Sequence, residues 1–272
     1  MKIGLIAGYG KISLIAARIL SANGHDVVII ALSESVSENL APYSRKIYTV
    51  SVTQIKKILK ILKEEDIKSV LFAGKITKEL IYSNLKFDML AVKTLLNLKD
   101  RKDDTIMLAV VDLLKNEGIK VLKQTEILKS LLAGKGVFTK KKPDKKQLED
   151  IRFGLDSAIE LGRLDIGQTV VVKNKAVMAV EAIEGTDAAI ERGCRLARGK
   201  AVVVKTAKPR QDERFDVPTV GIDTLKKIAD NNGSVLAVEA GKTFVVDFEE
   251  CVKFADKHGL IFLSAEGVDN DV

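Results

Sequence analysis

The chain has 272 residues, 46 % of them hydrophobic and 5 % aromatic, and a formal net charge of +7. That length suits two domains of about 130 residues each, and that apolar share excludes wholesale disorder. No apolar run approaches the roughly 20 residues a membrane-spanning helix needs, and the opening MKIGLIAGYG is too short and too Gly-rich for a signal peptide, so the chain is read as cytoplasmic.

Strands and helices alternate from the first residue. Ile3–Ala7 is an apolar run closing on Gly8-Tyr9-Gly10, and the helical spacing of Ile12, Ile15, Ala16, Ile19 and Leu20 follows it. Gly24 stops that helix, and Val27–Leu32 and Ile47–Val52 read as the next two strands. Helical spacing returns over Val52–Glu65, and Val70–Ala73 is a short strand closing on Gly74-Lys75. Helices are expected near Asp88–Leu98 and Asp104–Lys115, before a strand at Lys120–Leu122. This βαβ rhythm implies a Rossmann-like, mostly parallel sheet with helices on its faces.

Gly134–Lys146 breaks the rhythm with two glycines, a proline and six lysines, and it divides a first domain, 1–134, from a second, 135–272. Its dense run, Lys140-Lys141-Lys142 with Lys145-Lys146, has no interleaved aromatics, so nucleic acid has no stacking platform. The run reads as a solvated face, with contact to an anionic membrane surface or phosphate as the alternative. Beyond it come a helix at Leu148–Leu161 and a hairpin of Val170–Val172 and Val177–Ala182, with Asn174 at the turn. A helix at Asp187–Ala197 leads to the strand Ala201–Val204. After an irregular loop follow a helix (Asp223–Asn231), strands Val235–Val238 and Thr243–Val246, a helix (Glu249–His258) and a last strand, Leu260–Leu263. The second half is therefore α/β as well, with a mixed sheet.

With His25 and His258 as the only histidines, and Cys194 and Cys251 in helical segments, no His/Cys metal site can be assembled and a Ser-His-Asp triad is disfavoured. Three other places hold chemistry. Gly8-Tyr9-Gly10, between strand and helix, would let backbone N–H groups approach a phosphate. Position 13 is Ser where the dinucleotide fingerprint has Gly, so a purely structural turn is the alternative. In Glu181-Ala-Ile-Glu184-Gly185-Thr186-Asp187 an apolar strand acquires two carboxylates. Capping explains Thr186 or Asp187. Alternation puts Glu181 and Glu184 on opposite faces, and carboxylates at a strand end suit magnesium. The loop Lys205–Gly221 carries Lys205, Lys208, Arg210 and Arg214 among Asp212, Glu213 and Asp216, between Pro209 and Pro218. A phosphoanhydride site needs that mixture of cations and carboxylates. A surface loop laced with weak ion pairs has the same composition.

The strings Asp150-Ile-Arg-Phe-Gly154, Leu164-Asp-Ile-Gly-Gln168, Val180-Glu-Ala-Ile-Glu-Gly-Thr-Asp187, Lys208-Pro-Arg-Gln-Asp212, Arg214-Phe-Asp216-Val-Pro-Thr-Val-Gly221 and Val238-Glu-Ala-Gly241 resemble the UDP-2,3-diacylglucosamine pyrophosphatases of lipid A synthesis. The likeness is to their metal-dependent form, which is unrelated to the calcineurin-like phosphoesterases. Ala7-Gly-Tyr-Gly10, Ala73-Gly-Lys75 and Asp103-Asp104 extend it over the first half. The resemblance implies a Rossmann-like first domain, an α/β second domain, and substrate held between them. It implies magnesium-assisted hydrolysis of a UDP-linked diacylated amino sugar, giving UMP and 2,3-diacylglucosamine 1-phosphate. The family's essential carboxylate would be Asp212 or Asp216, with Asp212 ranked first, and Glu184 and Asp187 would join them as metal ligands. Lys208 and Arg214 would act on the phosphates. Gly8, Tyr9, Gly10, Lys75, Asp104, Gly185, Thr186, Lys205 and Gln211 would line the substrate.

The chain departs from the family at Ile12-Ser13, where Leu-Pro is usual, at Ala189 for Met, and at Lys86-Phe87 for Arg-Pro. Peripheral contact with the inner membrane surface and a homodimer are the partner readings left open. An NAD(P)-dependent oxidoreductase and a non-catalytic nucleotide-lipid sensor are the rival functions.

Overall fold

The computed structural model describes residues 1–44, 46–75, 88 and 103–266, and the side chains of these except at 103 and 104. The helix expected near Asp88–Leu98 lies outside the described residues. Two compact units make up the chain: Met1–Lys129 with Glu213–Asp216, and Ser130–Asp212 with Val217–Val272.

In the first unit, β1 (Lys2–Ala7), β2 (Asp26–Ala31), β3 (Lys46–Thr49), β4 (Ser69–Ala73) and β5 (Lys120–Val121) form one sheet in the order β3-β2-β1-β4-β5. Every pairing is parallel. Central strands of such a sheet are covered on both faces, so they read as unbroken apolar runs. β1 and β2 do so, each buried over all but its first residue. Helices α1 (Lys11–Ala22), α2 (Glu34–Leu40), α3 (Ile55–Glu64) and α4 (Asp103–Asn116) connect the strands, and the short α5 (Gln124–Ile127) follows β5. The strand order reverses between β1 and β4, the crevice where open α/β sheets place ligands.

Glu65, next to α3, is 6 % exposed and pins the opposite edge of this sheet. Its carboxylate accepts from Lys46 Nζ at 2.9 Å, Tyr48 Oη at 2.5 Å and Lys2 Nζ at 3.1 Å. Lys46 first, then Tyr48 and Lys2, bring its pKa from 4.5 down to about 2. A carboxyl whose folded pKa is depressed stabilises the fold above its unfolded value, and that contribution goes as pH falls through the folded one. Glu65's share of the acid limb of unfolding should therefore run from about pH 4.5 to about pH 2. Denaturant unfolding across that window should show Glu65→Gln with a flatter acid limb than the parent.

The second unit is built on a six-stranded sheet ordered β6-β13-β11-β9-β7-β8: β6 (Gly136–Val137), β7 (Thr169–Lys173), β8 (Ala176–Val180), β9 (Val202–Lys205), β11 (Val235–Glu239) and β13 (Ile261–Ala265). β9, β11 and β13 run parallel; β6, β7 and β8 run against their neighbours. Two-residue strands β10 (Thr219–Val220) and β12 (Phe244–Val245) pair separately. Helices α6 (Lys145–Arg163), α7 (Thr186–Ala197), α8 (Ile222–Asp230) and α9 (Phe248–Lys257) complete the unit. The units divide between Lys129 and Ser130, so the lysine-rich stretch lies inside the second one. The physical reason is β6, which pairs with β13 through Val137–Leu263 and Gly136–Ser264.

Several family-like strings serve this scaffold. Asp144 and Gln147 form a capping box at the start of α6. Asp150, 5 % exposed, accepts the N–H groups of Asn174 and Lys175 at 3.0 and 2.6 Å. Those two residues have φ of 52° and 56°, the hairpin-turn geometry that Asn favours. A Cβ on Gly154 would meet Val204 Cγ2 at 2.5 Å, so glycine lets α6 lie close on the sheet. Cys194 is buried, its thiol pushed up to about 11 by burial, and buried Cys251 donates to the Val246 carbonyl at 3.3 Å.

Candidate active site

At the switch point of the first sheet the two predicted loops meet. Gly8 N–H donates to Ala73 O at 2.8 Å, Tyr9 N–H to Lys75 O at 2.9 Å, and Lys75 N–H to Tyr9 O at 2.7 Å. Ser13 Oγ, which takes the fingerprint's glycine position, donates to the Gly8 or Ala73 carbonyl, at 2.6 and 2.8 Å. A Cβ on Gly8 would meet Lys75 O at 2.4 Å, so this glycine serves strand-to-strand approach. Amides bonded in this way are not turned to a phosphate; Gly10, with φ of 102° at the start of α1, has open space around its Cα. Ser33, at the end of the second strand, caps α2 by accepting from Val36 N–H. Asp104 opens α4, and its side chain lies outside the described atoms.

The second unit concentrates polar groups at one sheet edge, where β9, β11 and β13 end and antiparallel β7 begins. Thr169 pairs with Lys205, Val238 with both Lys205 and Ser264, and Glu181, just past β8, donates its N–H to Thr169 O at 2.8 Å. Lys205 is 8 % exposed, and its Nζ donates to Thr186 Oγ1 at 3.0 Å. Thr186 in turn donates to Glu181 Oε1 at 2.7 Å. Gly185, with φ of 84°, makes the turn that brings Thr186 to the start of α7. Buried oxygens of Thr169, Glu181 (Oε2), Thr206 and Ser264 find no partner among the described residues. Polar atoms are rarely left so, and their clustering marks this edge.

Glu239, 4 % exposed at the end of β11, fixes the loop that leaves β9. Its Oε2 accepts Ala207 N–H at 2.8 Å, and its Oε1 accepts Lys242 Nζ at 2.7 Å. Gln211 Oε1 accepts Lys208 N–H at 2.8 Å and closes a turn, while Lys208 Nζ reaches Asp165 at 2.8 Å. The loop then parts: Asp212 belongs to the second unit, Arg214 and Asp216 to the first. There Lys123 and Thr125 contact the Glu213 carboxylate at 2.9 and 3.2 Å, and Phe215 packs on the core.

Among the described residues, no three His, Cys, Asp or Glu side chains gather as a metal site. Glu184, expected to join such a set, is exposed and turned to Arg192. Its own backbone N–H, then Arg192, lower its pKa. Asp187 sits in the exposed first turn of α7. The carboxylate that the structure joins to Thr186 and Lys205 is instead Glu181, and alternation along the strand could not choose between the two.

Family models for the LpxI N-terminal domain and the LpxI C-terminal domain match residues 2–131 and 134–263. The chain belongs to the LpxI family. A UDP-2,3-diacylglucosamine pyrophosphatase LpxI from Caulobacter vibrioides is 34 % identical over 98 % of this chain and 98 % of its own length. Two solved UDP-glucose 4-epimerases also show similarity. One, from Stenotrophomonas maltophila with NAD and formylated UDP-arabinopyranose, is 15 % identical over 53 % of this chain and 40 % of its own, at a TM-score of 0.31. The other, from Thermotoga maritima with UDP-glucose, is 12 % identical over 100 % and 88 %, at 0.33. Both scores are too low to support a statement about this LpxI-family chain.

Proposed function

We propose that the chain hydrolyses the diphosphate of UDP-2,3-diacylglucosamine, releasing UMP and 2,3-diacylglucosamine 1-phosphate, in lipid A synthesis. The observation that carries the reading is family membership along both units, with a LpxI pyrophosphatase as a full-length relative. The charged edge of the second sheet supplies the chemistry. Lys205 and Lys208 neutralise non-bridging phosphate oxygens there, and Asp212 is the essential carboxylate. A dinucleotide oxidoreductase is disfavoured, because the amides of Gly8 and Tyr9 are bonded to the carbonyls of Ala73 in β4 and of Lys75.

The four carboxylates named from the sequence do not form one cluster among the described residues. Magnesium commonly takes one or two carboxylates and fills its other positions with phosphate oxygens and water, a demand that Asp212 or Asp187 of the second unit would meet. When bound, it would draw charge from the diphosphate. Among the described residues no helix is long and apolar enough to cross a membrane. The proposed setting is the cytoplasm, with the acylated substrate met at the inner membrane surface.

UMP release should be followed with magnesium and after chelation. The expected result is release that stops with chelator and returns with magnesium. Release indifferent to chelator removes the metal from the reading, and no release under either condition removes the reaction.

A further inference from the structure

Glu181 has no role in the reading above, yet it ends the hydrogen-bond chain Lys205–Thr186–Glu181. An ammonium has donors only and a carboxylate acceptors only, while a hydroxyl has one proton and two lone pairs. The chain can therefore run in one direction. Thr186 gives its proton to Glu181 Oε1 at 2.7 Å, and Lys205 Nζ gives a proton to Thr186 Oγ1 at 3.0 Å.

Without an acceptor at Glu181, the Thr186 proton would be free to rotate toward Lys205 and repel it. Three features hold the acceptor in place. Glu181 N–H is bonded to Thr169 O at 2.8 Å, and a Cβ on Gly167 would stand 2.0 Å from Glu181 O. Arg192 donates to the neighbouring Val180 carbonyl at 2.9 Å. The strand end is thus fixed on both sides. Lys205 is 8 % exposed, so its ammonium is held among protein groups rather than in bulk water.

We infer that Glu181 is a positioning residue: by holding the Thr186 proton it aims the Lys205 ammonium at the phosphates of the substrate. The inference rests on the proposed hydrolysis for its kinetic consequence, but not for the hydrogen-bond chain itself. Glu181→Gln keeps a side-chain oxygen for Thr186, whereas Glu181→Leu fills similar space with no acceptor. The leucine variant should lose roughly tenfold to a hundredfold in turnover, as removal of an orienting partner does, with kcat falling more than KM. The glutamine variant should stay close to the parent. Thr186→Val combined with Glu181→Leu should lose no more than Thr186→Val alone, because both break one chain.

Nitrogen-15 spectra of the lysine-labelled full chain test the chain of bonds without any substrate, with the Lys205 signal assigned by its loss in Lys205→Arg. The expected result is a Lys205 ammonium signal, slowed in exchange by its hydrogen bond, that persists in Glu181→Gln and vanishes or moves in Glu181→Leu. An unmoved signal in a folded Glu181→Leu protein overturns the inference, even if the parent releases UMP. Equal kinetic loss in the glutamine and leucine variants also overturns it, since charge rather than orientation would then be at work.

Discussion

Lys205→Met is expected to lower kcat by about a hundredfold to a thousandfold, the range seen when one preorganised donor to a developing charge is removed. Methionine has nearly the length of lysine and suits a buried site, so the fold should survive. Lys205 ends β9 with 8 % exposure, in a place where a cation interacts with phosphate far more strongly than it would in water. Single-turnover kinetics would separate this loss from substrate binding. Parental kcat in Lys205→Met would take the reaction away from this sheet edge.

Gly167→Ala is expected to damage the same place by steric force alone. Its added Cβ would stand 2.0 Å from Glu181 O and 2.7 Å from Glu181 C, both backbone atoms. Glu181 cannot step aside freely, because its N–H is bonded to Thr169 O at 2.8 Å. Overpacking of this kind costs about 1–3 kcal/mol of stability. A shift of the Glu181 backbone should also lower turnover through Thr186 and Lys205. Thermal unfolding and kcat on the same preparation check both parts. A variant with parental melting and parental turnover would show that the 166–168 loop moves independently of the strand end.

Much of the fold was legible because its strands are buried on both faces. Val27–Leu32 and Val235–Val238 are unbroken apolar runs bounded by glycine or polar residues, and both are strands of a parallel array. Helix α2 was not legible: Glu34–Leu40 is short and polar, and Ser33 as N-cap is a signal too common to mark a helix by itself. Strand β10 has two residues, too few for any periodicity, whereas β12 lies within the expected strand Thr243–Val246.

In the candidate site, Thr186 and Lys205 were named from the sequence and stand 3.0 Å apart at their polar atoms. Glu181 was named beside Glu184 but not chosen, because β8 ends at Val180 and strand alternation no longer sets its direction. Thr186, five residues on, decides which carboxylate turns inward. Asp150 and Glu239 show the converse. Both lie in family-like strings and both are buried carboxylates that tie down loops through backbone N–H groups. A recurring motif does not tell a catalytic carboxylate from one that caps a turn; the hydrogen-bond partners do.

The most direct test of the central claim is product analysis after incubating the purified chain with UDP-2,3-diacylglucosamine and magnesium, beside Asp212→Ala. Hydrolysis predicts UMP and 2,3-diacylglucosamine 1-phosphate in equal amounts, with turnover lost about a thousandfold in the variant, as expected for several kcal/mol of transition-state stabilisation. Tight binding of the lipid with no UMP released by the parent protein would contradict it.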